Sequence, residues 1–134
     1  MDGTQNAATI IGEGTDYVTA KPFKVDSGKC YYGGSTELEK QSVRLGKSGD
    51  AAQLTISLSD AGKVTAKSIL VATKNYGGNK NVGATLNVNG IGAQETSDSE
   101  IEEITYTFET PTAIDSIVLS SSKAVFVYKI KVNY

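Results

Sequence analysis

Few residues in this chain could do chemistry, and their types narrow the field quickly. Histidine is absent, and the single cysteine is Cys30. The missing imidazole removes the Ser-His-Asp triad, the Cys-His pair and histidine metal ligation together. One thiol can neither close an internal disulfide nor gather a thiolate zinc site. Without a neighbouring base, Cys30 reads as a small buried hydrophobe. Arg44 is the one arginine, which excludes an arginine-rich phosphate cradle. Gly46-Lys47-Ser48 has the tail of a phosphate loop, but Gln41 stands where its first glycine is required, and Gly49-Asp50 breaks the helix that should follow. The acidic pairs Glu37/Glu39 and Glu100/Glu102 would each share one face of a strand. That is the arrangement of a solvated surface, whereas hydrolytic carboxylates converge from different strands. No catalytic residue is assigned, and the chain is not expected to be an enzyme.

Binding chemistry remains. A sugar offers C–H faces to an aromatic ring and hydroxyls to amides and charges. Tryptophan is absent, but there are seven tyrosines, each with a flat face and a polar tip. Tyr76 lies in a Gly-rich stretch beside Lys74, Asn75, Asn79 and Lys80, the company a glycan site needs. Tyr31 and Tyr32, before Gly33-Gly34, form a second group. The plainer reading of Tyr76 is a turn tyrosine packed over the end of a β-sandwich. Tyr106 and Tyr128 sit in strand alternation and are expected in the core. Calcium needs six to eight oxygens. Asp16, Asp26, Asp50 and Asp98 are the loop carboxylates that could contribute, yet none lies in a dense Asp-x-Asp pattern, and no metal is the default expectation.

The elements that must position these residues read as strands. The 134 residues suffice for one domain with a real core, and a net charge of −2 argues against gripping nucleic acid or anionic lipid. No apolar run reaches the 18 or more residues of a membrane span. The opening MDGTQN lacks the basic start and apolar stretch of an export signal. Residues 1–9 are polar and expected to fray, with a single β-domain over 10–134. Ser35–Gln41 could form a helical turn. Ala52–Leu58 alternates cleanly, with Leu54, Ile56 and Leu58 on one face. Ala66–Gly90 reads as a strand, a polar Asn/Gly turn and a second strand, a hairpin around which the rest is organised. Ile104, Tyr106 and Phe108 share a face, and Pro111 is expected to close that strand, with another over Ala113–Ser120. In Ala124–Tyr134, Phe126, Tyr128, Ile130, Val132 and Tyr134 share a face. Acidic residues cluster over Glu95–Glu109, and Lys123, Lys129 and Lys131 lie in the last segment, where neighbouring strands could pair the two sets. About eight or nine short strands with frequent turns predict an antiparallel sandwich or barrel.

The order Val43-Arg44-Leu45-Gly46, Leu54–Leu58, Ile69–Lys74 with Tyr76-Gly77, Leu86-Asn87-Val88-Asn89-Gly90, Thr105–Phe108, Ile117–Ser120 and Val127–Tyr134 resembles the jelly-roll, galactose-binding-like modules of secreted bacterial proteins. The resemblance covers roughly Val43–Tyr134 and is one of strand order and turn placement. It implies an antiparallel jelly-roll sandwich and a non-catalytic extracellular or cell-surface module, most plausibly carbohydrate-binding, appended to a larger protein. Such modules often hold a structural calcium. Many carry a basic or aromatic site residue before the last strand, where this chain has Ser122-Lys123-Ala124. The alternative is a structural or adhesive module (spacer, fibre subunit or virion decoration) with a surface protein as partner. Ala124–Tyr134 could then pair with another chain if it lay at a sheet edge.

Overall fold

The structure, a computed structural model, describes residues 23–32, 42–58 and 64–133. Asp16, the 1–9 segment and the helical turn expected over 35–41 lie outside the described residues. Ten strands follow in order: β1 (Phe23–Ser27), β2 (Cys30–Tyr32), β3 (Val43–Leu45), β4 (Ala52–Ser57), β5 (Val64–Asn75), β6 (Thr85–Val88), β7 (Ala93–Glu95), β8 (Glu102–Ile114), β9 (Ser116–Ser121) and β10 (Val125–Asn133). They form two five-stranded sheets, β2-β3-β10-β5-β8 and β1-β4-β9-β6-β7. Every pairing is antiparallel. The pairs are nested: β6 with β7, β5 with β8, β4 with β9 and β3 with β10, alternating between the two sheets. A long antiparallel ribbon folded over itself in this way is a jelly roll.

Alternation builds the core. Leu54 and Ile56 of β4, Leu86 and Val88 of β6, and Ile117 and Leu119 of β9 face inward from one sheet. Leu45, Ile69, Val71, Val125, Val127 and Ile130 meet them from the other, all fully buried. Cys30 belongs to this core, and burial pushes its thiol up to about 11. Tyr106, 1% exposed, spans the sandwich: its hydroxyl on β8 donates to the Leu86 carbonyl of β6 at 2.6 Å. That bond satisfies the polar tip of the largest buried ring, and burial raises its phenol well above the ordinary range.

Four sequence expectations need correction. Ala66–Gly90 is not a hairpin. β5 pairs with β8 and β10, whereas β6 pairs with β7 and β9 in the opposite sheet, so residues 76–84 cross between sheets. Pro111 does not end its strand. It sits inside β8, an edge strand, at an irregularity where Ala66 faces Thr112 but Ser68 faces Thr107. An edge tolerates the missing N–H. The facing of β10 is also different. Val125 and Val127 point inward, and an extra residue at Tyr128 shifts the register so that Ile130 and Val132 follow them, with Phe126 outward. A bulge flips every later side chain to the other face, so Tyr128 is half-exposed and outside the core. Finally, β10 lies between β3 and β5 and offers no free edge.

Candidate functional site

Register across the first sheet creates a row on its outer face. Tyr31 of β2 opposes Arg44 of β3, Arg44 opposes Phe126 of β10, and Phe126 opposes Lys74 of β5. Directly opposed residues share a face, so an aromatic, a cation, an aromatic and a second cation stand side by side. Tyr76, two residues beyond Lys74, closes over this row. Its ring centroid is 5.4 Å from that of Phe126, and the Arg44 guanidinium carbon lies 4.4 Å from its centre. The same carbon sits 4.1 Å from the Tyr31 ring centre. Tyr128 adds a further ring 5.8 Å from Phe126. Phe126 is thereby 3% exposed although it points away from the core, and Tyr76 keeps 38% of its surface open. The result is an aromatic platform with a cation at its centre.

The loop that presents Tyr76 is pinned from beneath. Asn75 and Asn81 are buried, and their amides are committed to the protein. The Asn75 amide nitrogen donates to Asp98 Oδ1 at 2.7 Å and to the Asn81 carbonyl, while its oxygen accepts from Gly77 N–H at 2.5 Å. The Asn81 oxygen accepts from the N–H groups of Gly49 and Ala124 at 2.9 and 3.0 Å, and its nitrogen donates to the Gly77 carbonyl at 2.7 Å. Tyr76 N–H itself donates to the Ala124 carbonyl at 3.0 Å. The loops before β4, β6, β8 and β10 are thus tied through two amides. Gly77 and Gly78 take φ of +102° and +81°, which glycine adopts at no steric cost, and a side chain there would meet nothing within 4 Å.

Of the residues singled out in the sequence, Tyr76, Lys74 and Tyr31 come together on this face. Asn75 turns inward and serves as the strut just described. Asn79 and Lys80 lie exposed on the short 3₁₀ turn Asn79–Asn81, where Lys80 rests over Gly49. Tyr32 pairs in register with Val43. Arg44, Phe126 and Tyr128 were missed as site residues. The available signal was the unbroken apolar triplet Val125-Phe126-Val127, which in a strand forces one large ring to the outer face.

Three of the four candidate aspartates fall among the described residues, each in separate surroundings. Asp26 lies on edge strand β1, where Thr55 Oγ1 donates to it at 2.6 Å and Gln53 at 3.3 Å. The Thr55 hydroxyl, helped by Gln53 and Lys24, holds its carboxyl below the usual range against an opposing desolvation. Asp50 is exposed in the turn after β3, and Asp98 is engaged by Asn75. Among the described residues no three acidic or thiol side chains gather. The acidic and basic segments do meet: Lys129 Nζ reaches Glu103 Oε2 at 2.8 Å across the small Ala72 of the intervening β5.

The opposite sheet carries a shallow groove of about 390 Å³ lined by Gln53, Asn87, Asn89, Gly90, Val118 and Ser120. It has no aromatic face for a sugar ring. A second groove of about 410 Å³ includes one partly buried ring, Phe108, whereas the platform gathers Tyr31, Tyr76, Phe126 and Tyr128 and is the better candidate.

No protein-family model and no curated protein matches the sequence. Two solved structures are similar in fold. One is a low-affinity xylan-binding module, CBM86, from the gut symbiont Roseburia intestinalis, with 15% identity, TM-score 0.49, and 83% of this chain aligned to 88% of that one. The other is CBM32-1 from a family 31 glycoside hydrolase of Clostridium perfringens, with 12% identity, TM-score 0.46, and 84% of this chain aligned to 94% of that one.

Proposed function

We propose that this domain is a non-catalytic carbohydrate-binding module that works outside the cell and takes a glycan on the Tyr76 platform. The observation that carries the reading is Tyr76 itself: a ring residue 38% exposed, in contact with Phe126 and Arg44 and held on a loop tied by Asn75 and Asn81. A sugar stacks its C–H face on such a ring, and because the ring is already in place little ordering entropy opposes binding. Tyr31, Lys74, Asn79 and Lys80 would supply polar contacts to hydroxyls around it. The assembly alternative loses its motivating feature, since β10 is interior. Among the described strands the long edge is β8 instead, guarded by Glu102, Glu103 and Pro111 in the manner of strands that avoid pairing.

A glycan array probed with the wild type and with Tyr76→Ala, each with and without calcium, tests this. Wild-type binding is expected to fall by roughly tenfold or more in the variant, the loss of about 1.5 kcal/mol of stacking, with an unchanged circular dichroism spectrum. Absence of binding across the array, or binding indifferent to Tyr76→Ala, would overturn the assignment.

A further inference from the structure

Arg44 is held in an unusual way. Its guanidinium lies between two tyrosine rings, 4.1 Å from the centre of Tyr31 and 4.4 Å from that of Tyr76. Those contacts fix the plane of the group through its faces. Its edge is another matter. The Nε atom is buried and has no hydrogen-bond partner, and no carboxylate among the described residues pairs with the guanidinium. The described ion pairs are Lys24 with Asp26 and Lys129 with Glu103. Of the guanidinium nitrogens only Nε is among the buried atoms without a partner, so the terminal N–H groups are the ones a ligand can meet. Lys74 stands on the same row, separated from Arg44 only by the Phe126 strand. The platform therefore presents two positive charges on a chain whose net charge is −2.

We infer that the sugar bound here is acidic, a hexuronate whose carboxylate docks on the terminal N–H edge of Arg44 while its ring, or a neighbouring ring, stacks on Tyr76. This rests on the glycan-binding reading above and narrows it. A planar carboxylate matches the paired N–H groups of a guanidinium. Orientation by two rings leaves that fork pre-set, so the contact costs little rotamer entropy. A neutral sugar would leave the fork to water, and a desolvated ring with an unanswered cation beside it is a poorer fit.

The test is a titration series using oligogalacturonate, alginate and glucuronoxylan oligosaccharides, each beside its carboxyl-reduced counterpart of equal length. Desulfated and sulfated forms of one neutral oligosaccharide complete the set. At least one acidic member is expected to bind about tenfold or more tighter than its reduced form. That preference should fall several-fold between 0.05 M and 0.5 M salt, both concentrations being roughly chosen to span strong and weak screening. Arg44→Gln should abolish the preference, read as the ratio of acidic to reduced-form affinity, and Arg44→Lys should restore only part of it.

Equal binding of acidic and reduced forms, or equal loss of both in Arg44→Gln, overturns this inference and leaves the glycan reading standing. Binding confined to the sulfated form overturns the carboxylate assignment. If no oligosaccharide in the series binds but Tyr76-dependent neutral ligands appear on the array, the inference fails alone; if nothing binds in either experiment, both fail. The comparison of each acid with its reduced form needs no variant, so it stands even if Arg44→Gln does not fold.

Discussion

Asn81→Ala should be among the most damaging single substitutions in the loops, although the residue looks like an ordinary turn asparagine. Its side chain is 0% exposed. Its oxygen receives two backbone N–H groups, from Gly49 at 2.9 Å and Ala124 at 3.0 Å, and its nitrogen serves the Gly77 carbonyl at 2.7 Å. Alanine strands all three. Each buried polar group left without a partner costs about 1–3 kcal/mol. Ala124 is fully buried and takes the upper part of that range, while Gly49 is half-exposed and can turn to water. The total is roughly 3–4 kcal/mol, a large share of the about 5–15 kcal/mol that typically separates folded from unfolded domains. With a urea slope of about 1–3 kcal/mol per molar, the unfolding midpoint should fall by roughly 2 M. The control is Asn79→Ala in the same 3₁₀ turn, exposed and expected to change stability by less than about 0.5 kcal/mol. Urea melts followed by circular dichroism suffice. If Asn81→Ala lies within about 1 kcal/mol of Asn79→Ala, the amide is not the strut described here.

Two further outcomes follow from the core. Tyr106→Phe keeps the ring but removes the donor to the Leu86 carbonyl, so it should cost about 1–2 kcal/mol with an unchanged urea slope; a neutral effect would mean that the carbonyl is satisfied without the phenol. Cys30 is held protonated in the fold, its thiol pushed up from 9.0 to about 11 by burial, with the Gly46 backbone opposing. Between those values the unfolded chain loses the proton first, so stability falls as pH rises. The slope is about 1.4 kcal/mol per pH unit. Cys30→Ala should flatten the decline between pH 9 and 11, and an unchanged slope would refute the assignment of that titration to Cys30.

Much of this architecture was legible because alternation is a local signal. Leu54-Thr55-Ile56 and Leu86-Asn87-Val88 declare which face is buried, and the structure agrees. The β10 facing was not legible, because a bulge is chosen by the register of both neighbours. Nothing within Val127-Tyr128-Lys129 marks the extra residue. Asn75 and Asn81 illustrate a second limit. In an Asn-rich stretch the sequence shows the capacity for hydrogen bonds but not their direction. Here the two amides face inward to backbone groups supplied by Gly49, Gly77 and Ala124. Arg44 was visible as a lone cation, yet its place between two rings depends on β2, β3 and β10 lying side by side.

The concentric pairing of strands also implies a timetable. β6 and β7 meet through a tight turn, with Leu86 opposite Gln94. Once they are joined, β5 and β8 are held near each other, with Ile69 opposite Tyr106; then β4 and β9, with Leu54 opposite Leu119. Each closure shortens the effective loop that the next must close, so the entropic barrier is divided into steps rather than met at once. The outermost pair, β3 with β10, closes last, and it brings Arg44 to Phe126. Recovery of the platform during refolding should therefore trail recovery of the Tyr106 environment, making the binding surface a reporter of the final zippering step.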